Sequence, residues 1–448
     1  MKKRTIYTLP KDTEPTGEVV AGLIEVNNKA YIPTFARLES YIDDNPVMGR
    51  STPNDILAVH NFAQYITFIN GGYLLGNPVD YRGTQDQKLD PIMDNYREQN
   101  IFDLDSELEE DCSMFGQAFE TVYVDEESQV LSAKLSVYNT IVVYDDTFKH
   151  EKMFAIYYAP MRHDNGKAKH DQYDLTIWTP THIYEGTLRS KQFVITEETE
   201  HFFGEVPVVH YFNNKRMKGD YEPVVSLIDA YNILQSDRVI DREKLVDAIL
   251  AFYGAKLTEE DREAIKDNRV IGLPEGAKAE YLIKSINEAD TDVLRETIAS
   301  DIHKFSMTPD LTDETFSNAP SGVSILYKLL AFEQNIKRKE RQFESALKTR
   351  FSLYATMLSR QSKFSEQITP ADIDVVFTRA LPKNDFETSQ MINNVEGLVD
   401  QETLIGQLSF VDDASATAER AKEEKDERMT QANFATGNFP QEDDDDES

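Results

Sequence analysis

The groups from which this 448-residue chain could build a catalytic or metal site are eight histidines, one cysteine and 80 acidic side chains. A structural or catalytic metal needs three or four ligands at short, characteristic spacings. His163 and His170 fall in a polar loop, and His201 and His210 flank an apolar, strand-like segment. Neither pair forms such a pattern, and satisfied or exposed histidines are the better reading. A single cysteine, Cys112, excludes an internal disulfide framework and any multi-cysteine metal site, and fits a reducing compartment. Its helix is acidic, a poor setting for a thiolate. The segment GLPEGAK (272–278) has glycines and a lysine but lacks the spacing and terminal hydroxyl of a phosphate-binding loop. It precedes a strand and reads as a hairpin turn. The acidic clusters Asp145–Asp146, Glu109–Glu110–Asp111 and Glu259–Glu260–Asp261 read as solvated faces in so acidic a chain, and none reads as an acid/base couple. One basic cluster stands out: Lys337, Arg338, Lys339 and Arg341 in a long helical stretch. It could meet DNA phosphates or an acidic neighbouring subunit. The favoured reading is a solvated face partnered by Glu333 and Glu340.

The elements that would carry these residues change character along the chain. Residues 1–30 are polar at first and read as an N-terminal arm. The pattern is helical from 31 to 75, with NDILAVHNFAQYITFINGGYLLG capped at Asn54 or Asp55 and stopped at Gly71–Gly72, and 89–117 continues as helix. From about 119 to 212 short runs such as FETVYVD, TIVVYDD and KMFAIYYAP, rich in Val, Ile, Tyr and Thr, form a β-rich block. After the turn NNKRMKGDYEP, residues 224–253 read as one helix, roughly 46 Å long at ~1.5 Å per residue, with a polar gap at 235–244. A short charged helix, a strand–turn–strand module and a second helix at 290–306 follow. MTPDLTDETFSNAPSG is a turn-rich loop. The longest helical pattern then runs from 321 to 362, DIDVVFTRA reads as a strand, and 385–432 is helical. The residues from 433, ending in EDDDDES, have the composition of a disordered tail.

Net charge is −33, with 47 basic residues against the 80 acids. A protein that grips DNA by neutralising phosphates would normally be basic. No apolar stretch approaches the ~20 residues of a membrane span, and MKKRTIYTLPKDTEPTG is not a signal peptide. A soluble protein made in a cytoplasm is the expectation.

Five segments, in this order, resemble the portal proteins of siphovirus-type tailed phages over 54–362: FINGGYLLGNPVDY, FGQAFETVYVDEES, HFFGEVPVVHYFNN, YEPVVSLIDAYNILQSDRVIDREKLVDAIL and MTPDLTDETFSNAPSGVSILYKLLAFE. The resemblance implies an α+β portal fold and a homo-oligomeric ring, usually a dodecamer, at one capsid vertex of the virion, assembled in the host cytoplasm. It implies a wing (31–222), a first stem helix (223–254), a clip (255–287), a second stem helix (288–307), a tunnel loop (308–321), a long wing helix and strand (322–383) and a crown (384–432). Thr312, Thr315, Phe316, Ser317, Asn318 and Ser321 would border translocating double-stranded DNA. Arg262, Arg269, Glu275, Lys278 and Lys284 would belong to the clip that meets the terminase large subunit and the head-tail adaptor. Major capsid and scaffolding proteins are further implied partners; no enzyme activity, cofactor, metal or membrane contact is implied. The alternatives are another ring-forming capsid or tail protein, or a hydrolase with an acidic cleft.

Overall fold

A computed structural model describes residues 4–45, 57–84, 89–163, 166–245, 249–254, 258, 276–282, 288–312, 322–364, 369–379, 385–395, 397, 399–408, 411, 415, 417–422 and 424. It divides into two compact units, Met1–Ala380 and Leu381–Ser448.

The first unit begins with β1 (Tyr7–Leu9) and α1 (Gly17–Val26), so the N-terminal segment is built into the core and is not an arm. β1 adds in parallel to β5 (Thr140–Asp145), with Tyr7 opposite Val143. Val20, Leu23 and Ile24 bury α1 against Ile141, Phe154 and Ile177. These apolar positions, spaced three and one apart, form too short a stripe to announce a helix. Arg4 is also buried, donating to the Phe115 carbonyl (2.7 Å) and paired with Glu222.

After α2 (Ile32–Ile42), α3 runs from Phe62 to Leu75. It starts later than expected because Asn61 supplies the cap, its side chain accepting from the Gln64 amide at 2.8 Å. Gly71 and Gly72 lie inside the helix and do not stop it. Gly71 is small for a packing reason: a Cβ there would stand 2.5 Å from Glu109 Oε2. Next come β2 (Asp80–Gly83), α4 (Asp90–Glu98) and α5 (Ile101–Phe115). Gly116, at φ +81°, ends α5 in the left-handed conformation that glycine adopts without strain.

The β-rich block is present. β3 (Gln117–Val124) pairs with β4 (Val130–Leu135) and with β10 (Val208–Phe212). β5, β6 (Lys152–Arg162), β7 (Ala168–Trp178), β8 (His182–Arg189) and β9 (Gln192–Glu200) complete a six-stranded sheet in the order β1-β5-β6-β7-β8-β9.

α6 spans Val225–Leu245, and the chain then forms a strand, β11 (Ile249–Tyr253), antiparallel to β12 (Lys278–Leu282). The helix expected to reach 253 therefore ends eight residues earlier. ILAFY is a five-residue apolar run, which fits a buried helix turn and a strand equally well until a partner is known. α7 (Glu288–Ser306) and α8 (Gly322–Arg360) match the expected helices closely. β13 (Ile373–Val376) pairs with β2. Ile336, Phe343, Leu347, Phe351, Tyr354 and Leu358 give α8 a continuous buried face at helical spacing. Apart from Thr258, the charged helix expected at 258–267 lies outside the described residues, as does the strand expected at 269–272.

The second unit contains α9 (Asp385–Val395) and α10 (Gln401–Ile405). Asp400 caps α10 by accepting from the Thr403 amide at 2.8 Å, and Leu404 is buried. Residues 433–448 lie outside the described residues.

Candidate functional site

Two helices, the hairpin between them in sequence and the segment after the second helix make up the region singled out by its sequence pattern. α6 and α7 pack together through Leu227, Ile228, Tyr231, Ile298, Ala299 and Ile302. Further along, Arg238 meets Asp292 at 3.0 Å. Part of the polar stretch of α6 has an internal task. Ser236 Oγ accepts from the Ala58 amide (3.0 Å) and Asn232 Oδ1 from the His60 amide (2.9 Å), docking the chain that enters α3. Some apolar side chains on these helices stay uncovered: Val293 is 63% and Leu294 49% exposed.

Beyond α7 the chain is held at its root. Met307 takes a left-handed turn (φ 60°). Tyr65 of α3 donates to the Pro309 carbonyl (3.0 Å) and accepts from the Leu311 amide (2.9 Å). Asn70 donates to Thr308 Oγ1 at 2.9 Å, and His303 Nδ1 lies 3.1 Å from the Thr308 carbonyl, its ring edge-on to Phe62 and Tyr65. Thr312 is exposed and turns its hydroxyl onto Asp310 (2.6 Å). Thr315, Phe316, Ser317, Asn318 and Ser321 lie outside the described residues, as do Arg262, Arg269, Glu275 and Lys284. Lys278 is exposed on β12, opposite Tyr253.

The basic cluster of α8 divides in two. Lys339 is only 4% exposed, and its ammonium bonds Glu109 of α5 and Asp220 (2.6 Å to the latter). This corrects both sequence readings of that residue: it is neither part of a solvated face nor able to reach DNA. Burial alone would lower its affinity for a proton, but the two facing carboxylates outweigh it and hold the pKa above the usual lysine range. Lys337 pairs loosely with Glu333 (3.9 Å), while Arg338 and Arg341 are exposed. Lys215, Arg216 and Lys218, from the turn read only as a connection, line the same cleft as these two arginines. Their signal was three cations in four residues at the root of a helix.

The acidic clusters divide likewise. Glu109 is buried, not solvated. About three turns further along α8, Arg350 is fully buried and clamps Asp105 with both guanidinium ends (2.5 and 3.2 Å). It also donates to Tyr81 Oη (2.9 Å) and stands 3.7 Å from Glu120, which accepts from Tyr211 (2.6 Å). Burial pushes the Asp105, Glu109 and Glu120 carboxyls upward, against the pull of these cations. Buried carboxylate pairs do exist, then, but each faces a cation inside the packed core. They tie α8 to α5, β3 and the root of α6. Cys112 is buried near the Glu109–Lys339–Asp220 group, and burial raises its thiol pKa. Among the described residues no cluster of three metal-binding side chains occurs, and no helix is long and apolar enough to cross a membrane.

The long helix α8 is thus braced from within by buried ion pairs. The chain belongs to the phage portal protein family, SPP1 Gp6-like, whose model matches residues 24–431. Its relatives include the portal protein of Bacillus phage SPP1, 24% identical over 374 residues covering 79% of this chain and 73% of that one. The portal protein of Clostridium phage phiCD119 (strain Clostridium difficile/United States/Govind/2006) is 22% identical over 419 residues, covering 89% and 90%.

Proposed function

We propose that this chain is one subunit of a closed ring, a dodecamer, set at one vertex of the phage head. Double-stranded DNA enters through its bore during packaging and leaves through it during ejection. In this reading α6 and α7 are the stem, β11 and β12 the root of the clip, and the segment after α7 the tunnel loop. α8 with β13 belongs to the wing and 384–432 is the crown. The clip would dock the terminase large subunit and later the head-tail adaptor, and the rim would meet the major capsid and scaffolding proteins. The energy for movement comes from the separate motor, and the portal itself catalyses nothing.

The observation that carries this reading is the α6–α7 pair. Two helices, separated in sequence by a small antiparallel hairpin, pack side by side at one end and leave Val293 and Leu294 uncovered. Neighbouring copies would cover them. The acidity fits a channel wall. Duplex DNA carries one negative charge per ~1.7 Å, so like-charged walls repel it and let it slide without a tight, sequence-specific grip.

Deleting 316–319 should leave ring assembly unchanged and lower the yield of packaged DNA. Packaging at the wild-type level by such a deletion would count against the tunnel-loop assignment.

A further inference from the structure

With 80 acids to 47 bases, cations of this chain commonly find a carboxylate: Arg97 meets Asp94 (2.8 Å), Lys348 meets Glu344 (3.0 Å), and Arg379 meets Glu333 and Glu340. Five that do not converge on one place. Lys215, Arg216, Lys218, Arg338 and Arg341 are all exposed, have no carboxylate partner among the described residues, and line a single cleft of about 570 Å3. Its walls also carry Phe305 and Met307, 56% and 43% exposed.

A second concavity, between α3 and α5, has the opposite character. It is lined by Phe68 (75% exposed), Phe102, Thr67 and Glu110. The buried Thr67 Oγ1 has no hydrogen-bond partner among the described residues. Glu110 is exposed and has no basic partner among them. Asp103 and Glu107 share its face of α5 at helical spacing. The two concavities are joined through the buried triad. Glu109 forms part of the wall of the acidic groove, Asp220 part of the wall of the basic cleft, and Lys339 bonds both.

A closed ring is built from heterologous contacts, in which one face of each copy meets a different face of the next. Such contacts require complementary patches at two separate places on the same chain, and this pair meets the requirement in sign and in chemistry. Each combines aromatic or sulfur-bearing apolar groups with a charged rim, the composition of a protein interface. Duplex DNA, a broad convex rod, would meet only the rim of the basic cleft and leave Phe305 and Met307 facing water.

We propose that the basic cleft of one copy receives the acidic α3–α5 groove of the next copy in the ring. This rests on the ring reading given above.

The test uses the full-length chain in two variants, Arg338→Glu/Arg341→Glu in the cleft and Asp103→Lys/Glu110→Lys in the groove. Native mass spectrometry measures the concentration at which half the chains are in rings, and circular dichroism verifies the fold. Each variant alone should need at least about tenfold more protein to close rings, because like charges then face each other across every interface. Mixing the two should restore closure, since alternating copies again pair opposite signs. Variants that close rings at the wild-type concentration, or a mixture that stays monomeric, overturn the proposal. So does a cleft variant with intact rings and lost binding to a DNA duplex, which would assign the cleft to phosphates. A wild-type chain that forms no ring overturns the ring reading itself, a failure recognisable because it precedes any substitution.

Discussion

Lys339 and Arg350 are both buried on one helix, and both are held by carboxylates distant in sequence. Removing a charge from such a pair leaves its partner buried and uncompensated, which costs about 3–5 kcal/mol. Lys339→Met should therefore lower the unfolding free energy by that order in urea titrations, and adding Glu109→Gln should recover part of the loss. A Lys339→Met chain as stable as wild type would show that the triad does not hold α8 in place. None of this was legible in the run KRKER, which resembles a solvated helix face. The partners of Lys339 lie 230 and 119 positions away, so no local spacing reports them. His210 supplies a second test at this scale. Packed against Phe119 and Phe212 near Lys152, its imidazole is pushed down to about 3. The unfolded chain takes up that proton near the ordinary pKa of ~6.5 while the folded chain refuses it, so stability is lost as pH falls from 6.5 toward 3. Burial raises Asp111 to about 6, which acts with the opposite slope between 3.8 and 6. The contribution of His210 is thus the difference between two chains: His210→Gln should lose less stability than wild type between pH 7 and pH 4. Parallel pH profiles would contradict it.

At the scale of elements, Tyr65 decides how the segment after α7 leaves the helix pair. Tyr65→Phe removes both of its bonds to that backbone at a cost of about 1 kcal/mol. Assembly should persist while packaged DNA falls. Packaging at the wild-type level would show that the root of the loop need not be pinned. The pattern of α7 and α8 was readable to within two residues because long periodic stretches carry their own signal. Short pieces were not. β1 and α1 depend on a sheet that forms more than a hundred residues later, and β11 depends on β12. β11 was read as the end of a helix and the partner of β12 was placed at 269–272, but the order of helix, small β module and helix, which carries the functional reading, was visible. The tie from Tyr65 and Asn70 to the segment after α7 was not, because it joins residues more than two hundred positions apart.

For the whole molecule, the net charge of −33 and the uncovered apolar residues of α7 fit the proposed ring, in which copies of the chain share surfaces. A lone subunit exposes Val293 and Leu294 to water, whereas in the proposed ring neighbouring copies would cover them and an acidic wall would face DNA. Contacts between charged rims weaken as salt shortens the reach of each charge to about 3 Å at 1 M. Rings diluted into high salt should therefore dissociate at higher protein concentrations than rings in low salt, as light scattering would show. The most direct measurement is electron cryomicroscopy of the purified full-length chain. The account predicts end-on views of a closed ring with a central hole, with α6 and α7 of every copy lining it. A compact monomer, or a ring whose bore is lined by other elements while α6 and α7 lie on its outer surface, would contradict it.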